Sequence, residues 1–123
     1  MKTMATIIIV DDHKDIVDTL VKIVVKMGHT AVTAGNGEEF LSKVSDAKPD
    51  LALLDVMMPG LTTKQILNGL KEKNLGNLKV ILVTVVRFAD EEKKALMSEH
   101  NIVDYVTKPF KVHELMESIK RQL

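Results

Sequence analysis

The chain has 123 residues, 46% of them hydrophobic, which is enough to bury the core of one domain over residues 1–123 and leaves no room for a second. Seventeen basic and seventeen acidic side chains cancel, so the net charge provides no steering towards nucleic acid or an anionic membrane. Cysteine is absent, which excludes disulfides, thiolate metal sites and thiol nucleophiles and agrees with a reducing compartment.

The sequence does not indicate export or membrane insertion. Its longest apolar runs are far shorter than the ~20 residues of a membrane span. The amino terminus, MKTMATIIIVDD, reaches two acids early and lacks a small-residue cleavage site, so it does not resemble a signal peptide. We therefore expect a cytoplasmic protein with no membrane partner and no direct nucleic-acid partner.

The first half of the chain alternates strand and helix patterns. A continuous apolar run, Ala5 to Val10, is typical of a strand covered on both faces of a parallel sheet. From Lys14 to Met27 apolar residues recur at helical spacing, and Gly28 favours the left-handed conformation that ends a helix. A second strand is predicted over 29–34 and a short helix over 38–46, after a glycine-containing turn.

The second half repeats this alternation. The predicted elements are a third strand that carries Asp55, a helix over 63–73, a fourth strand over 78–83, a helix over 90–99, a fifth strand over 102–106, and a closing helix that buries Val112, Leu115, Met116 and Ile119. The helix over 90–99 has only Ala95, Leu96 and Met97 to bury, so it is predicted to be the weakest of the five. Five strand-helix pairs with short connections predict an α/β protein with a doubly wound parallel sheet.

Polar side chains stand at the carboxyl ends of four predicted strands. They are Asp11 and Asp12 after the first strand, Asp55 at the third, Thr84 after the fourth and Lys108 after the fifth. The carboxyl ends of parallel strands share one edge of the sheet, where ligands collect near the reversal of strand order. Apolar residues flank Asp55, and a buried charge needs a partner or a metal. We therefore expect these side chains to form one site.

The predicted site is suited to phosphoryl transfer. Its three carboxylates repel one another unless a cation neutralises them, and an all-oxygen ligand set favours Mg²⁺, or Mn²⁺, with water completing the shell. An aspartate beside such an ion can attack phosphorus and become an acyl phosphate. By its place in the site Asp55 is the predicted nucleophile. Lys108 and Thr84 fit the roles of ammonium and hydroxyl partners of the phosphoryl oxygens.

The set Asp11-Asp12, Asp55, Thr84, Tyr105 and Lys108-Pro109 resembles the receiver domain of two-component response regulators over nearly the whole chain. The resemblance implies a flavodoxin-like five-stranded sheet in the order 2-1-3-4-5 with five helices. It implies that Asp55 is the phosphoacceptor, that Lys108 contacts the acyl phosphate and that the Lys108-Pro109 bond is cis. Thr84 and Tyr105 resemble the switch pair, in which the hydroxyl moves to the phosphate and the ring turns inward.

The resemblance also implies a metal site and a partner. Asp12, Asp55 and the backbone carbonyl of Met57 resemble the magnesium ligands, with Asp11 assisting. The implied phosphodonor is a sensor histidine kinase in a phosphorelay, and the implied output is a changed surface near the fourth helix and fifth strand. The chain is then a switch and not an enzyme, since it assists only its own phosphorylation and dephosphorylation. Its downstream protein is unknown, and it is expected to be a monomer or a phosphorylation-dependent dimer.

The chain departs from the family pattern near the site. Thr62 and Thr63 stand where an Asp-Gly pair is usual, and Val85 follows the switch hydroxyl where a small residue is usual. We expect Val85 to narrow access to Asp55 and slow exchange with small phosphodonors or water. Met57 offers no side-chain group to position a hydrolytic water, which favours slow self-hydrolysis.

Other interpretations remain open on the sequence alone. The acidic pair is suited to a helix cap, Asp55 to a turn, Thr84 and Tyr105 to ordinary strand positions, and Lys108 to a solvated loop. Two other function classes are an aspartate-nucleophile phosphohydrolase, which usually has a second acid where Met57 stands, and a receiver-like interaction module that is never phosphorylated. The histidines, His13, His29, His100 and His113, lack ligand spacing and are assigned no metal or phosphodonor role.

Overall fold

The computed structural model describes residues 4–123. Residues 1–3 lie outside the described residues; they begin the amino-terminal stretch that does not resemble a signal peptide. The elements in chain order are β1 (Thr6–Val10), α1 (Lys14–Lys26), β2 (Thr30–Ala34), α2 (Gly37–Ala47), β3 (Leu51–Leu54), α3 (Thr63–Glu72), β4 (Lys79–Thr84), α4 (Asp90–Glu99), β5 (Ile102–Thr107) and α5 (Val112–Gln122). No helix within residues 4–123 is both long and apolar enough to cross a bilayer.

The strands form one parallel sheet in the order β2-β1-β3-β4-β5. This confirms the predicted flavodoxin-like, doubly wound fold with five helices. Strand order reverses at β1 and β3, so the carboxyl ends of these two strands flank the crevice where such sheets bind ligands. The third strand ends at Leu54. Asp55 therefore lies just after this strand, whereas the sequence predicts it within the strand.

Two apolar layers hold the sheet. Ile8 and Leu54 pack in the layer that includes α2 and α3, whereas Ile7 and Leu53 pack in the layer that includes α1 and α5. All four residues of β3 are buried, because both faces of a central parallel strand are covered by helices. The residue that follows β3 therefore has a closely fixed position.

A capping box begins α3 and was not predicted. Thr62 Oγ1 accepts a hydrogen bond from Gln65 N at 3.1 Å, and Gln65 Oε1 accepts one from Thr62 N at 2.9 Å. Two backbone donors that a helix start leaves open are satisfied in this way, and the Thr-x-x-Gln spacing is typical of the motif. Thr62, one of the departures from the family pattern, therefore has a structural role as the N-cap.

Helix α4 is the least anchored of the five, as predicted, because none of its residues is buried. The expectation that it buries Ala95 and Met97 was wrong, since Ala95 is exposed and Met97 is 50% exposed. Leu96 alone of the three packs against the core. Val112 was likewise expected to be buried but is 51% exposed. Elements with so little buried surface move most easily.

Candidate functional site

Two buried acids stand side by side at the crevice. Asp11 follows Val10 and Asp55 follows Leu54, and these two strand ends are paired opposite each other. Asp55 N donates to Val10 O at 3.0 Å, which continues the pairing one step beyond β3. Asp11 is 2% exposed and Asp55 3%, so neither carboxylate is solvated by bulk water and each needs a partner within the protein.

Lys108 is that partner. Its backbone N donates to Thr84 O at 2.9 Å, which extends the pairing of β4 with β5 and places the lysine above the carboxyl end of the sheet. Its Nζ lies 2.6 Å from Asp11 Oδ2 and 3.4 Å from Asp55 Oδ2. The Lys108 side chain is 11% exposed, so water and salt screen the pair only weakly. The Lys108–Pro109 bond is cis, as the resemblance implied.

Asp12 and His13 lie on the open side of the site. The Asp12 side chain is 29% exposed, and the Nδ1 atom of His13 lies 3.0 Å from its Oδ1. The same nitrogen lies 3.2 Å from Asp11 Oδ1, which also accepts a hydrogen bond from His13 N at 2.9 Å. The N-cap of α1 is His13, so neither aspartate occupies the N-cap position considered above.

Four side chains are therefore close enough to share one ion. Among residues 4–123, Asp11, Asp12, His13 and Asp55 each offer a ligand atom, and these atoms all lie within 4.8 Å of one another. The predicted convergence of the three acids is confirmed by this geometry. His13 was not expected in the group, since no metal role was assigned to it. Its sequence position beside two acids is the only signal that could have indicated it.

The loop after Asp55 is tied to its carboxylate. Asp55 Oδ1 accepts a hydrogen bond from Met57 N at 3.1 Å. The Met57 side chain is 56% exposed and supplies no charged group to the site. Metal binding by the backbone carbonyl of Met57 stays a prediction. The roles inferred for the other site residues stay predictions as well.

Thr84 and Tyr105 line a cavity of about 250 Å³ between β4, β5 and the start of α4. The Thr84 side chain is buried, and its Oγ1 accepts a hydrogen bond from Val86 N at 3.2 Å. The Tyr105 ring lies 5.8 Å from the Phe88 ring, between centroids, and 5.4 Å from Lys93 Nζ. The Tyr105 hydroxyl donates to Lys93 O at 3.4 Å, and burial raises the pKa of the phenol.

A polar cluster on the other face of β5 was not predicted. Ser118 and Arg121, one helical turn apart on α5, both donate to Asp104 Oδ2, the arginine at 2.8 Å. Burial acts to raise the pKa of Asp104, but the hydrogen bonds from Ser118, Arg121 and the Tyr105 backbone outweigh it and hold this pKa below its usual value. The cluster fastens α5 to the strand that carries Tyr105.

Comparison with known proteins agrees with this geometry. Residues 7–120 match a family described as response regulator receiver domain. The chain is 36% identical over 115 residues to the alkaline phosphatase synthesis transcriptional regulatory protein PhoP of Bacillus subtilis, a match that covers 93% of this chain and 46% of PhoP. It is 33% identical over 109 residues to the probable C4-dicarboxylate response regulator DctR of the same organism, covering 89% and 45%. The chain thus spans about half the length of these curated relatives.

Solved structures show the same likeness. The response regulator TrrA from Thermotoga maritima, determined with Mg²⁺ and BeF, is 32% identical with a TM-score of 0.80, covering 98% of this chain and 100% of TrrA. The chemotaxis protein CheY4 of Vibrio cholerae is 24% identical with a TM-score of 0.86, covering 98% and 99%, and supports the fold alone. With 93% of its length aligned to PhoP and residues 7–120 matched by the family model, the chain belongs to the response regulator receiver domain family.

Proposed function

We propose that Asp55 accepts a phosphoryl group from a sensor histidine kinase and that Lys108, Thr84 and Tyr105 convert this event into a changed surface. Receiver domains of response regulators are phosphorylation-activated signalling switches, and this chain belongs to that family. The observation that carries the assignment to Asp55 is that this buried carboxylate, at 3% exposed, keeps its Oδ2 atom 3.4 Å from the ammonium of Lys108. The oxygens of the equally buried Asp11 have closer partners, Lys108 Nζ at 2.6 Å and His13 N at 2.9 Å.

The residues present fit a magnesium ion. Asp11, Asp12 and Asp55 offer carboxylate oxygens from two strand ends, and Mg²⁺ prefers hard oxygen ligands together with water. We propose these three residues and the Met57 carbonyl as the ligands, and Mn²⁺ as an ion that the same oxygens accept. When bound, such an ion neutralises negative charge on the carboxylates and on the phosphoryl group.

The proposed reaction is an exchange of one bond at phosphorus. A carboxylate oxygen of Asp55 attacks the phosphorus of a phosphohistidine; the new O–P bond forms as the N–P bond breaks, and the electron pair returns to the histidine nitrogen, which takes up a proton. Lys108 Nζ, 3.4 Å from Asp55 Oδ2, is close enough to pair with a phosphoryl oxygen on that carboxylate. We propose no turnover of a separate substrate, and Met57 supplies no second acid of the kind that phosphohydrolases use.

The proposed switch begins with one hydrogen bond. Thr84 Oγ1 now accepts from Val86 N at 3.2 Å, and in the proposed movement towards a phosphoryl oxygen it gives up that bond. The exchange costs about 1 kcal/mol, the net value of one such bond, which a charged phosphoryl acceptor readily offsets.

Tyr105 connects this movement to α4. The cavity of about 250 Å³ beside Thr84 offers space for the Tyr105 ring. The ring contacts Phe88 and Lys93, which lie before and within α4, so turning it inward changes their packing. Because α4 buries no residue of its own, a small change in these contacts is enough to shift it.

The partners follow from the same proposal. We infer a cytoplasmic protein that meets a histidine kinase there, with residues 1–123 acting as one receiver domain. Its downstream partner is a protein that recognises the surface of α4 and β5, and the chain itself makes no contact with nucleic acid. We infer a monomer, or a dimer that forms on phosphorylation.

Labelling with acetyl phosphate tests the assignment of Asp55. The chain is incubated with acetyl phosphate and Mg²⁺, and intact mass and peptide mapping locate any phosphoryl group. We expect one phosphoryl group on wild type and on Asp46→Asn, which changes an exposed acid of α2, and none on Asp55→Asn or when the metal is chelated. Labelling that persists in Asp55→Asn refutes the assignment. Phosphate release without an adduct favours the phosphohydrolase, and absence of any reaction favours the unphosphorylated interaction module.

A further inference from the structure

We propose that His13 is an additional ligand of the divalent metal site and makes the site favour Co²⁺ and Ni²⁺ over Mg²⁺. The inference rests on the proposed function, because it takes the metal site of Asp11, Asp12 and Asp55 as its starting point. It adds a nitrogen to a ligand set that the sequence predicts to contain oxygen alone.

The spacing of the His13 nitrogen matches an octahedral metal. Two neighbouring ligands of an octahedral ion with bonds of about 2.1 Å lie about 3.0 Å apart. His13 Nδ1 lies 3.0 Å from Asp12 Oδ1 and 3.2 Å from Asp11 Oδ1. The His13 nitrogen therefore lies as far from each carboxylate oxygen as two neighbouring ligands of an octahedral ion lie from each other. The ligand atom of Asp55 lies within 4.8 Å of the other three.

The two oxygens of Asp11 divide the site into an inner and an outer side. Oδ2 faces Lys108 Nζ at 2.6 Å, whereas Oδ1 faces His13. An ion on the His13 side therefore does not have to displace the lysine from the oxygen that it occupies. The His13 backbone is fixed by its own hydrogen bond to Oδ1 at 2.9 Å, and its side chain is 64% exposed, so ions and water reach the ring from solvent.

The chemistry of imidazole sets the expected preference. Affinity at mixed nitrogen and oxygen sites rises from Mn²⁺ through Co²⁺ to Ni²⁺, and imidazole is a good ligand for Ni²⁺. Mg²⁺ prefers oxygen and gives up its water reluctantly, so it gains little from a nitrogen. The ordinary alternative is that His13 only donates a hydrogen bond to the carboxylates, in which case its loss weakens the binding of Mg²⁺ and Ni²⁺ alike.

Titration calorimetry with Mg²⁺ and Ni²⁺ separates these cases. The proteins are wild type, His13→Ala and His113→Ala, the last as a control because His113 is an exposed histidine away from the acidic group. We expect His13→Ala to weaken Ni²⁺ binding by roughly 10- to 100-fold or more, because losing even a residue that only supports the ligands usually costs that much. Its affinity for Mg²⁺ should change by less than about twofold, because Mg²⁺ is bound through oxygen. His113→Ala should match wild type for both ions.

The other outcomes overturn the inference in distinguishable ways. If His13→Ala binds Ni²⁺ as tightly as wild type while Mg²⁺ binds normally, His13 is not a ligand, and the proposed function stands. If His13→Ala loses affinity for both ions equally, the residue supports the site without selecting the metal. If wild type binds neither ion at the acidic group, the inference and the proposed metal site fail together.

Discussion

Replacing Lys108 with alanine removes the ammonium that Asp11 and Asp55 share. Both carboxylates are almost fully buried, and the lysine side chain is 11% exposed. With the lysine gone, two neighbouring acids face each other without a cation, unless a metal takes its place. We therefore expect Lys108→Ala to be destabilised strongly in a chelator and much less in Mg²⁺.

The two contacts set the size of the effect. At an effective dielectric constant of about 20, the contact at 2.6 Å has a Coulomb energy of about 6 kcal/mol and the contact at 3.4 Å about 5 kcal/mol. Desolvation of the three groups offsets much of this, and removing one partner of a buried pair typically costs about 3–5 kcal/mol. An ion that binds only the folded chain, at about 100 times its Kd, returns about 2.7 kcal/mol.

Urea unfolding measures both the stability lost when Lys108 is removed and the stability that Mg²⁺ returns. Wild type, Lys108→Ala and the exposed control Lys111→Ala are unfolded in a chelator and again in saturating Mg²⁺. We expect only Lys108→Ala to lose about 3–5 kcal/mol in the chelator and to recover more in Mg²⁺ than wild type does. Equal stabilities of the Lys108 and Lys111 variants in the chelator would contradict the assignment of Lys108 as the neutralising cation.

Three further predictions concern other parts of the chain. Ser118→Ala removes a buried donor from Asp104 and should cost about 1–2 kcal/mol in thermal unfolding. Burial, helped by the nearby Lys71, lowers the pKa of His100, so between this lowered pKa and about pH 6.5 the imidazole binds more protons in the unfolded chain than in the folded chain. The free energy of unfolding should therefore fall as the pH drops from about 6.5 through the lowered pKa, and His100→Gln should reduce this slope. Val85→Ala should shorten the lifetime of the acyl phosphate, followed by intact mass.

Each of these has its own control or contrary result. Ser98→Ala, an exposed serine of α4, should change stability by less than about 0.5 kcal/mol. An equal effect of both serine variants would remove the case for the Asp104 cluster. Glu99, 3.9 Å from His100, opposes the lowered pKa, so an unchanged slope in His100→Gln would assign the acid sensitivity to other groups. An unchanged acyl-phosphate lifetime in Val85→Ala would exclude its proposed role at the entrance.

The fold was predictable because its elements have clear periodicity. Strand β3 is a wholly apolar run and α1 has a clear apolar stripe. Each of these elements begins and ends within a residue or two of the bounds that its pattern predicts. The site was predictable because parallel topology gathers the strand ends, even where Asp11 and Lys108 are 97 residues apart. No local pattern in the sequence connects those two residues.

The features that the sequence did not predict depend on side-chain positions, which the spacing of apolar residues does not specify. His13 joins the acids through one ring nitrogen, and its spacing from Asp12 is not a recognised metal-ligand spacing. Ser118 interrupts an otherwise apolar stripe on α5, which is a signal that could have indicated a buried hydrogen bond to β5. The burial of Ala95 and Met97 was predicted wrongly because the few apolar residues of α4 do not define which face of the helix meets the core.

The central claim is that Asp55 receives the phosphoryl group at a site closed by Lys108 and a divalent ion. A crystal structure of the chain with Mg²⁺ and beryllofluoride, a mimic of the acyl phosphate, tests it most directly. We expect beryllofluoride on an Asp55 carboxylate oxygen, Mg²⁺ bound by Asp12 and Asp55, and Lys108 Nζ within about 3 Å of a fluoride, the length of a charge-assisted hydrogen bond. Beryllofluoride on another residue, or an unmodified Asp55 in a crystal that contains Mg²⁺ at the acidic group, would contradict the claim.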